Sequence, residues 1–374
     1  SSHARRYTRL ADGGVAVRVL LAGGGSGGSA TPVLAVATEL RSRDPSVELL
    51  YVGTRGGPEA ELACAEGIAY VGVAAGKLRR YWDTQNVTDI GRIVRGVGES
   101  IGHVRRFRPD VAFGAGGFAS VPPLFAAALQ RVPVLIHQQD VIPGLANRLL
   151  VPFAARITVS LPQTLPHFPA DRTTLRGNPV RSRILGGSPA EARRLLDLEP
   201  ETPLVLVTGG GTGALALNLI VADAADDLVR FCQVVHLTGR GRGVPAALAS
   251  PRYHQREFLV DEMPHALAAA SVVVTRAGLG TLTELAALRK AAIVVPMPGT
   301  HQDANARAFA EAGGAIVLDQ RTLTPEQLVA VIRGLLEDEP RRTALGEALG
   351  RTMPRDAAAR VAEDLVALVR PASC

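Results

Sequence analysis

The sequence predicts an α/β protein built from two Rossmann-like halves with parallel sheets. Three observations carry that expectation. Short, continuous Val/Leu/Ile runs alternate with helix-length patterns from one end to the other, as in parallel strands buried on both faces. The series begins again near residue 203, and 374 residues exceed the usual size of a single hydrophobic core. Each series also opens with a strand running into glycine: Leu20-Leu-Ala-Gly23-Gly-Gly-Ser-Gly-Gly28 in the first, Val205-Leu-Val-Thr-Gly209-Gly-Gly-Thr-Gly213 in the second.

In the first half, strands are expected over 17–22, 47–53, 69–73, 110–114, 132–137 and 156–160. A helix over 31–43 would carry Pro32 in its first turn, where a missing N–H is harmless. A second, over 87–107, shows one apolar stripe of Ile90, Ile93, Val94, Val97, Ile101 and Val104. In the second half, strands are expected over 203–209, 233–238, 256–260, 271–275, 292–296 and 315–318. Helices fit over 215–229, 263–270, 279–288 and 304–312. Residues 162–189, rich in Pro, Gly and Thr, read as a linker. The domains then span 17–178 and 179–353, with a helix near 355–370 packing back on the first. Residues 1–14 are polar and irregular, like a tag remnant, and stand outside the fold.

Composition narrows the function. Apolar residues make up 47% and charged ones 20%, which is globular rather than disordered composition. The net charge of +6 is spread along the chain, without the aromatic-interleaved basic tract of a nucleic-acid module. One cluster stands out: Lys77, Arg79 and Arg80, then Arg92, Arg95, Arg105, Arg106 and Arg108. It reads either as a solvated helix face or as a surface for anionic lipid. Cys64, Cys232 and Cys374 are odd in number and widely spaced, so a reduced, cytoplasmic protein is expected. No apolar run reaches spanning length.

Ligands of wound parallel sheets sit beyond the carboxyl ends of the strands. Glycine there lets backbone approach a ligand, and the free N–H groups of a helix start favour a diphosphate. Neither turn has the Lys-Ser/Thr of a P-loop, and Val52-Gly53 closes the second strand without an acid, which disfavours NAD.

Further segments extend this pattern: Gly24-Gly-Ser-Gly-Gly-Ser-Ala-Thr-Pro32, Arg108-Pro-Asp-Val, Gly114-Ala-Gly-Gly-Phe118, His137-Gln-Gln-Asp140, Pro143-Gly-Leu-Ala-Asn147 and Gly177-Asn-Pro-Val-Arg181. In the second half stand Gly209-Gly-Gly-Thr-Gly-Ala214, Arg276-Ala-Gly-Leu-Gly-Thr-Leu-Thr-Glu284 and His301-Gln302. In this order they resemble the MurG family of glycosyltransferases, from Val17 to the C-terminus. The resemblance implies a GT-B fold, two Rossmann-like domains facing a central cleft. It implies an inverting hexosamine transfer, with the acceptor on the N-terminal domain and UDP-N-acetylglucosamine on the C-terminal one. By the same resemblance Glu284 binds ribose and Thr281 lies at the phosphates. The donor set is completed by Arg181, Gly211, Thr212, Gly280, His301 and Gln302, with Asp303 and Asn305 as added contacts. Gly27, Gly28, Ser29, Gly116, Gly117 and Asn147 form the acceptor or phosphate loop. No DxD-type motif accompanies the donor segment, so no metal and no other cofactor is expected.

The chain departs from the family at the reacting end. Ser29 stands where the family has His, Gln138 where it has Glu, Asp140 where it has Asn, Gly211 where it has Ser, and Phe118 where it has Tyr. A neutral serine cannot take the acceptor proton without its own base. Asp140 is the first candidate base and His137 the second. These changes point to a non-standard acceptor, either a specialised metabolite or a lipid-linked intermediate. Transfer to lipid I in peptidoglycan synthesis, a donor-binding protein with little transfer activity, and a nucleotide-sugar epimerase remain open as alternatives.

Overall fold

The computed structural model describes residues 16–24, 27–76, 85–210, 213–244 and 250–369. Lys77, Arg79, Arg80, Gly211, Thr212 and Cys374 lie outside them. Two compact units emerge: one runs to Arg181 and takes back the chain from Arg355 onward, the other is Ser182–Pro354.

The first unit holds strands β1 (Arg18–Ala22), β2 (Glu48–Thr54), β3 (Ala69–Val73), β4 (Val111–Gly114), β5 (Val134–Gln138), β6 (Arg156–Val159) and β7 (Thr173–Leu175). They form a seven-stranded parallel sheet in the order β3-β2-β1-β4-β5-β6-β7. Its helices are α1 (Gly27–Arg43), α2 (Pro58–Ala65), α3 (Gln85–Phe107), α4 (Val121–Leu129) and α5 (Leu145–Leu150). Alternate strand residues feed two cores. Val19, Leu21, Tyr51 and Phe113 pack on one face with Val33 and Leu40 of α1. Leu20, Ala22, Val52 and Ile136 pack on the other with Val104 of α3 and Leu124 of α4. A sheet buried on both faces needs the unbroken apolar runs seen in the sequence.

The second unit repeats the scheme with β8 (Leu204–Thr208), β9 (Gln233–Leu237), β10 (Tyr253–Arg256), β11 (Val272–Thr275), β12 (Ala291–Val294) and β13 (Ile316–Val317). Their order is β10-β9-β8-β11-β12-β13, again parallel. Its helices are α6 (Pro189–Leu195), α7 (Leu215–Asp223), α8 (Ala225–Leu228), α9 (Met263–Ala269), α10 (Leu279–Leu288), α11 (His301–Glu311), α12 (Pro325–Glu337) and α13 (Glu339–Thr352). Strand order therefore reverses between β1 and β4 in one sheet and between β8 and β11 in the other.

Several expectations are corrected. The segment 162–189 is no free linker, because β7 within it pairs with β6. The strand expected over 256–260 lies earlier, as β10, and the apolar residues Phe258 and Val260 beyond it are exposed. Pro32 sits inside α1, which starts at Gly27 rather than at 31. The helix expected over 215–229 is split into α7 and α8. Val94 faces solvent at 66% exposure. The buried line of α3 runs instead through Gly96, Ser100 and Val104. A Cβ on Gly96 would fall 1.9 Å from the Ala74 carbonyl, so that glycine draws the helix inward and turns Val94 outward.

The last helix, α14 (Ala357–Leu368), packs against α1 in the first unit. Val361 and Leu365 join that core, and Asp364 is buried beside it. Asp364 accepts from Arg156 Nη1 at 2.8 Å and from Arg176 Nε and Nη2 at 2.7 and 2.9 Å. Asp364 is the buried member of this cluster, while Arg156 and Arg176 keep 34% and 32% of their side-chain exposure, so water meets part of the loss when the carboxylate is removed. Asp364→Asn should therefore lower unfolding free energy by about 1–2 kcal/mol in urea denaturation, less than for a fully buried pair. A change within error would show that the clamp is not what holds α14 down.

Candidate active site

In the second unit the reversal point lies at the carboxyl ends of β8 and β11. Beyond β11 the segment Arg276-Ala-Gly leads into α10, whose N-cap is Gly278. The first backbone bond back to this cap is Leu282 N–H to the Gly278 carbonyl at 3.1 Å. The N–H groups of Leu279, Gly280 and Thr281 thus have no helical acceptor, and glycine offers no capping side chain. One turn further, Glu284 is buried at 8% exposure. Apolar α10 residues such as Leu282 and Leu285 draw it inward with the helix.

The segment after β12 is held by its own polar groups. Thr300 Oγ1 caps α11 by accepting from Gln302 N–H at 3.2 Å. Gln302 Oε1 accepts from Met297 N–H at 3.0 Å, which leaves its amide nitrogen as the donor. His301 is exposed at the helix start. Asp303 Oδ2 accepts from Gly299 N–H at 2.8 Å, and fully buried Asn305 donates to the Ala277 carbonyl at 3.0 Å. Both residues fasten loops, Asn305 from a fully buried position and Asp303 through one carboxylate oxygen. Arg181 ends the first unit, half-buried.

In the first unit the reversal point lies between β1 and β4, and two glycine loops meet there. Gly117 has φ 79°, and a Cβ on it would fall 2.2 Å from the Gly24 carbonyl. Gly116, φ 85°, lies against the Asn147 amide. Gly27 and Gly28 open α1. Ser29 is buried and donates to the Gly24 carbonyl at 3.2 Å, so its hydroxyl braces the turn. Asn147 Nδ2 donates to the His137 carbonyl at 3.0 Å and to Gln138 Oε1 at 2.7 Å. Gln138 Nε2 in turn donates to the Asp140 carbonyl at 2.9 Å. Asp140, half-buried, stands two residues beyond β5, at the edge of the sheet that carries the glycine loops.

His137 is placed differently from a base. It is fully buried. Its Nδ1 lies 2.9 Å from Thr158 Oγ1, and its Nε2 lies 3.0 Å from Asn178 Oδ1 and 3.1 Å from Ser160 Oγ. An amide oxygen can only accept, so Nε2 carries the proton and Nδ1 accepts from Thr158. No lone pair remains for a substrate, and the ring fastens β5 to the Gly177-Asn-Pro-Val-Arg181 segment. His236 of β9 repeats the device, with Nε2 3.2 Å from Asn218 Oδ1 and Nδ1 2.7 Å from Tyr253 Oη. Burial pulls both imidazoles down to about 4.

Sequence reasoning missed Glu59. Although no acid closes β2, the carboxylate of this residue in the first turn of α2 returns to the Thr54 N–H at 2.8 Å. Added Cβ atoms on Gly24, Gly53 or Gly57 would lie within 3 Å of Glu59 side-chain atoms. Three glycines clear room for one buried acid, which is spent on the loop.

Comparison with known proteins follows the same two units. Residues 19–159 match the glycosyltransferase family 28 N-terminal domain, and residues 204–361 match its C-terminal domain. The UDP-N-acetylglucosamine--N-acetylmuramyl-(pentapeptide) pyrophosphoryl-undecaprenol N-acetylglucosamine transferase of Shouchella clausii is 38% identical, over 93% of this chain and 98% of its own. The crystal structure of Acinetobacter baumannii MurG aligns with a TM-score of 0.70 at 24% identity, covering 94% of this chain and 99% of that one. UDP-GlcNAc 2-epimerase from Neisseria meningitidis, bound to UDP-GlcNAc, aligns at 0.68 and 13% identity, covering 94% and 100%. The two structures show the shared GT-B fold, and the sequence relative separates transfer from epimerisation.

The buried imidazoles set a pH limit. Their folded values lie below the ordinary 6.5, so the unfolded chain takes up the protons first. Stability is complete above pH 6.5 and falls as pH drops towards 4, by about 3 kcal/mol per ring. NMR titration should find both rings neutral at pH 5.5. A midpoint near 6.5 for either ring would contradict its placement.

Proposed function

The chain belongs to glycosyltransferase family 28, and on that premise we propose that it transfers N-acetylglucosamine from UDP-N-acetylglucosamine to lipid-linked muramoyl-pentapeptide. The observation that carries this reading is the match to the S. clausii transferase, which spans both units at 38% identity. A non-standard acceptor, suggested by Ser29 and Gln138, has less support than a lipid-linked one. Buried Ser29 braces the glycine turn, so its change from the family pattern does not by itself redirect the acceptor.

In this reading the donor lies on the second unit. Glu284 accepts the ribose hydroxyls, and the N–H groups of Leu279, Gly280 and Thr281 hold the diphosphate. His301 and the Gln302 amide nitrogen donate to sugar hydroxyls. Gly211 and Thr212, outside the described residues, are carried as donor contacts by the family resemblance alone, and Arg181 adds a guanidinium to the leaving group. The acceptor diphosphate takes the glycine loops at Gly27, Gly28, Gly116 and Gly117, with Asn147 fixing the loop behind them. Asp140 takes the proton of the acceptor hydroxyl as that oxygen attacks the anomeric carbon. The bond from that carbon to the diphosphate oxygen breaks, the configuration inverts, and UDP leaves with its charge on the helix N–H groups and Arg181. No metal or resident cofactor enters the reading. Among the described residues no helix is long and apolar enough to cross a membrane. A lipid-linked acceptor would therefore be met at the membrane face, where exposed Arg92 and Arg95 flank Val94.

Transfer of labelled sugar into lipid-linked acceptor held in anionic vesicles tests the whole reading. Label transferred only to a soluble acceptor would return the non-standard alternative. Glu284→Ala should weaken UDP binding by about 1.5–3 kcal/mol, the worth of hydrogen bonds to a charged group; unchanged affinity in calorimetry would remove the ribose role. Asp140→Asn should cut turnover about 100-fold or more while donor affinity stays the same. Wild-type turnover in that variant would rule out Asp140 as base.

A further inference from the structure

Arg276 follows β11 at the reversal point of the second sheet and is buried, at 4% exposure. Its Nη1 donates to the carbonyls of Val295 and Pro296 at 2.9 and 3.2 Å. Its Nε, also buried, has no partner. Among the described residues no carboxylate forms an ion pair with it, although the guanidinium spans the carboxyl ends of β11 and β12. Burial alone pulls its pKa below the ordinary arginine value. Carbonyl dipoles offset part of the lost hydration, but buried cations are normally matched by an anion. Three residues on, the uncapped start of α10 adds partial positive charge at the same strand end.

We propose that Arg276 is a standing counter-charge for the donor diphosphate, a positioning residue whose anion arrives only with the nucleotide. This rests on the donor reading given above. The role is electrostatic and acts from the floor of the site, so it requires no direct contact with the phosphates. It also explains why a cation is kept in a place where a neutral side chain would cost less to bury.

The test is calorimetric binding of UDP and of uridine to the full chain, to Arg276→Gln and to Arg276→Lys. Glutamine keeps a donor for the Val295 and Pro296 carbonyls but removes the charge, whereas lysine keeps the charge. UDP affinity should fall about 30-fold in the glutamine variant and stay within about five-fold in the lysine variant. Uridine affinity should not change in either. Wild-type UDP affinity in Arg276→Gln, equal loss of uridine and UDP, or a lysine variant as weak as the glutamine one would overturn the proposal. A glutamine variant unable to fold without nucleotide would overturn it too, since the guanidinium would then belong to the ligand-free framework. Failure of the donor reading looks different: the unaltered protein would bind neither uridine nor UDP.

Discussion

A parallel sheet that winds outward in both directions leaves one seam, where neighbouring strands send their connections to opposite faces. The glycine turns to which donor and acceptor binding are proposed stand at two such seams. At each, backbone N–H groups and carbonyls beyond the strand ends would be left without partners if bulky side chains filled the space. Glycine solves the steric part. Gly117 closes to within a Cβ's reach of the Gly24 carbonyl. Gly213 does the same in the second sheet, where an added Cβ would fall 2.4 Å from the Thr238 carbonyl.

The two seams differ in charge. The first is glycine against glycine, braced by Ser29 and Asn147 and backed by the buried carboxylate of Glu59. The second joins an uncapped helix start to a buried guanidinium. That charge favours an anion at the second seam, in keeping with the donor side that the family resemblance implies. Several polar residues of the motifs hold other parts of the chain. Asn147, Asn305 and Asp303 hold backbone groups and His137 holds the side chains of Thr158 and Asn178, while the proposed chemistry and recognition rest on Asp140, Glu284, His301 and Gln302. Such a shell keeps the few acting groups in place without needing them to rearrange.

The interior strands were legible in the sequence because burial on both faces demands unbroken apolar runs. Two of the four edge strands, β7 and β10, were not, whereas β3 and β13 carry apolar residues and were expected. β7 is Thr-Thr-Leu at the rim of the sheet, and β10 is Tyr-His-Gln-Arg, half-exposed on its edge. Neither carries the composition of a buried strand, and the apolar Phe258-Leu-Val run drew the expectation past β10. Positions of the glycine turns were legible, since strand-to-glycine junctions mark the reversal points directly. The role of His137 was not, because nothing local distinguishes a base from a ring satisfied by Thr158 and Asn178, residues 21 and 41 positions away. Glu59 escaped for a similar reason: its carboxylate returns to β2 from a helix that the sequence pattern did not announce.

The central claim is that the donor diphosphate rests on the helix start at the seam between β8 and β11. A crystal structure with UDP-N-acetylglucosamine bound tests it most directly. The account predicts phosphate density within hydrogen-bonding distance of the Gly280 and Thr281 N–H groups, with ribose on Glu284. Nucleotide density over the Gly24 and Gly117 loops of the first sheet instead would contradict it.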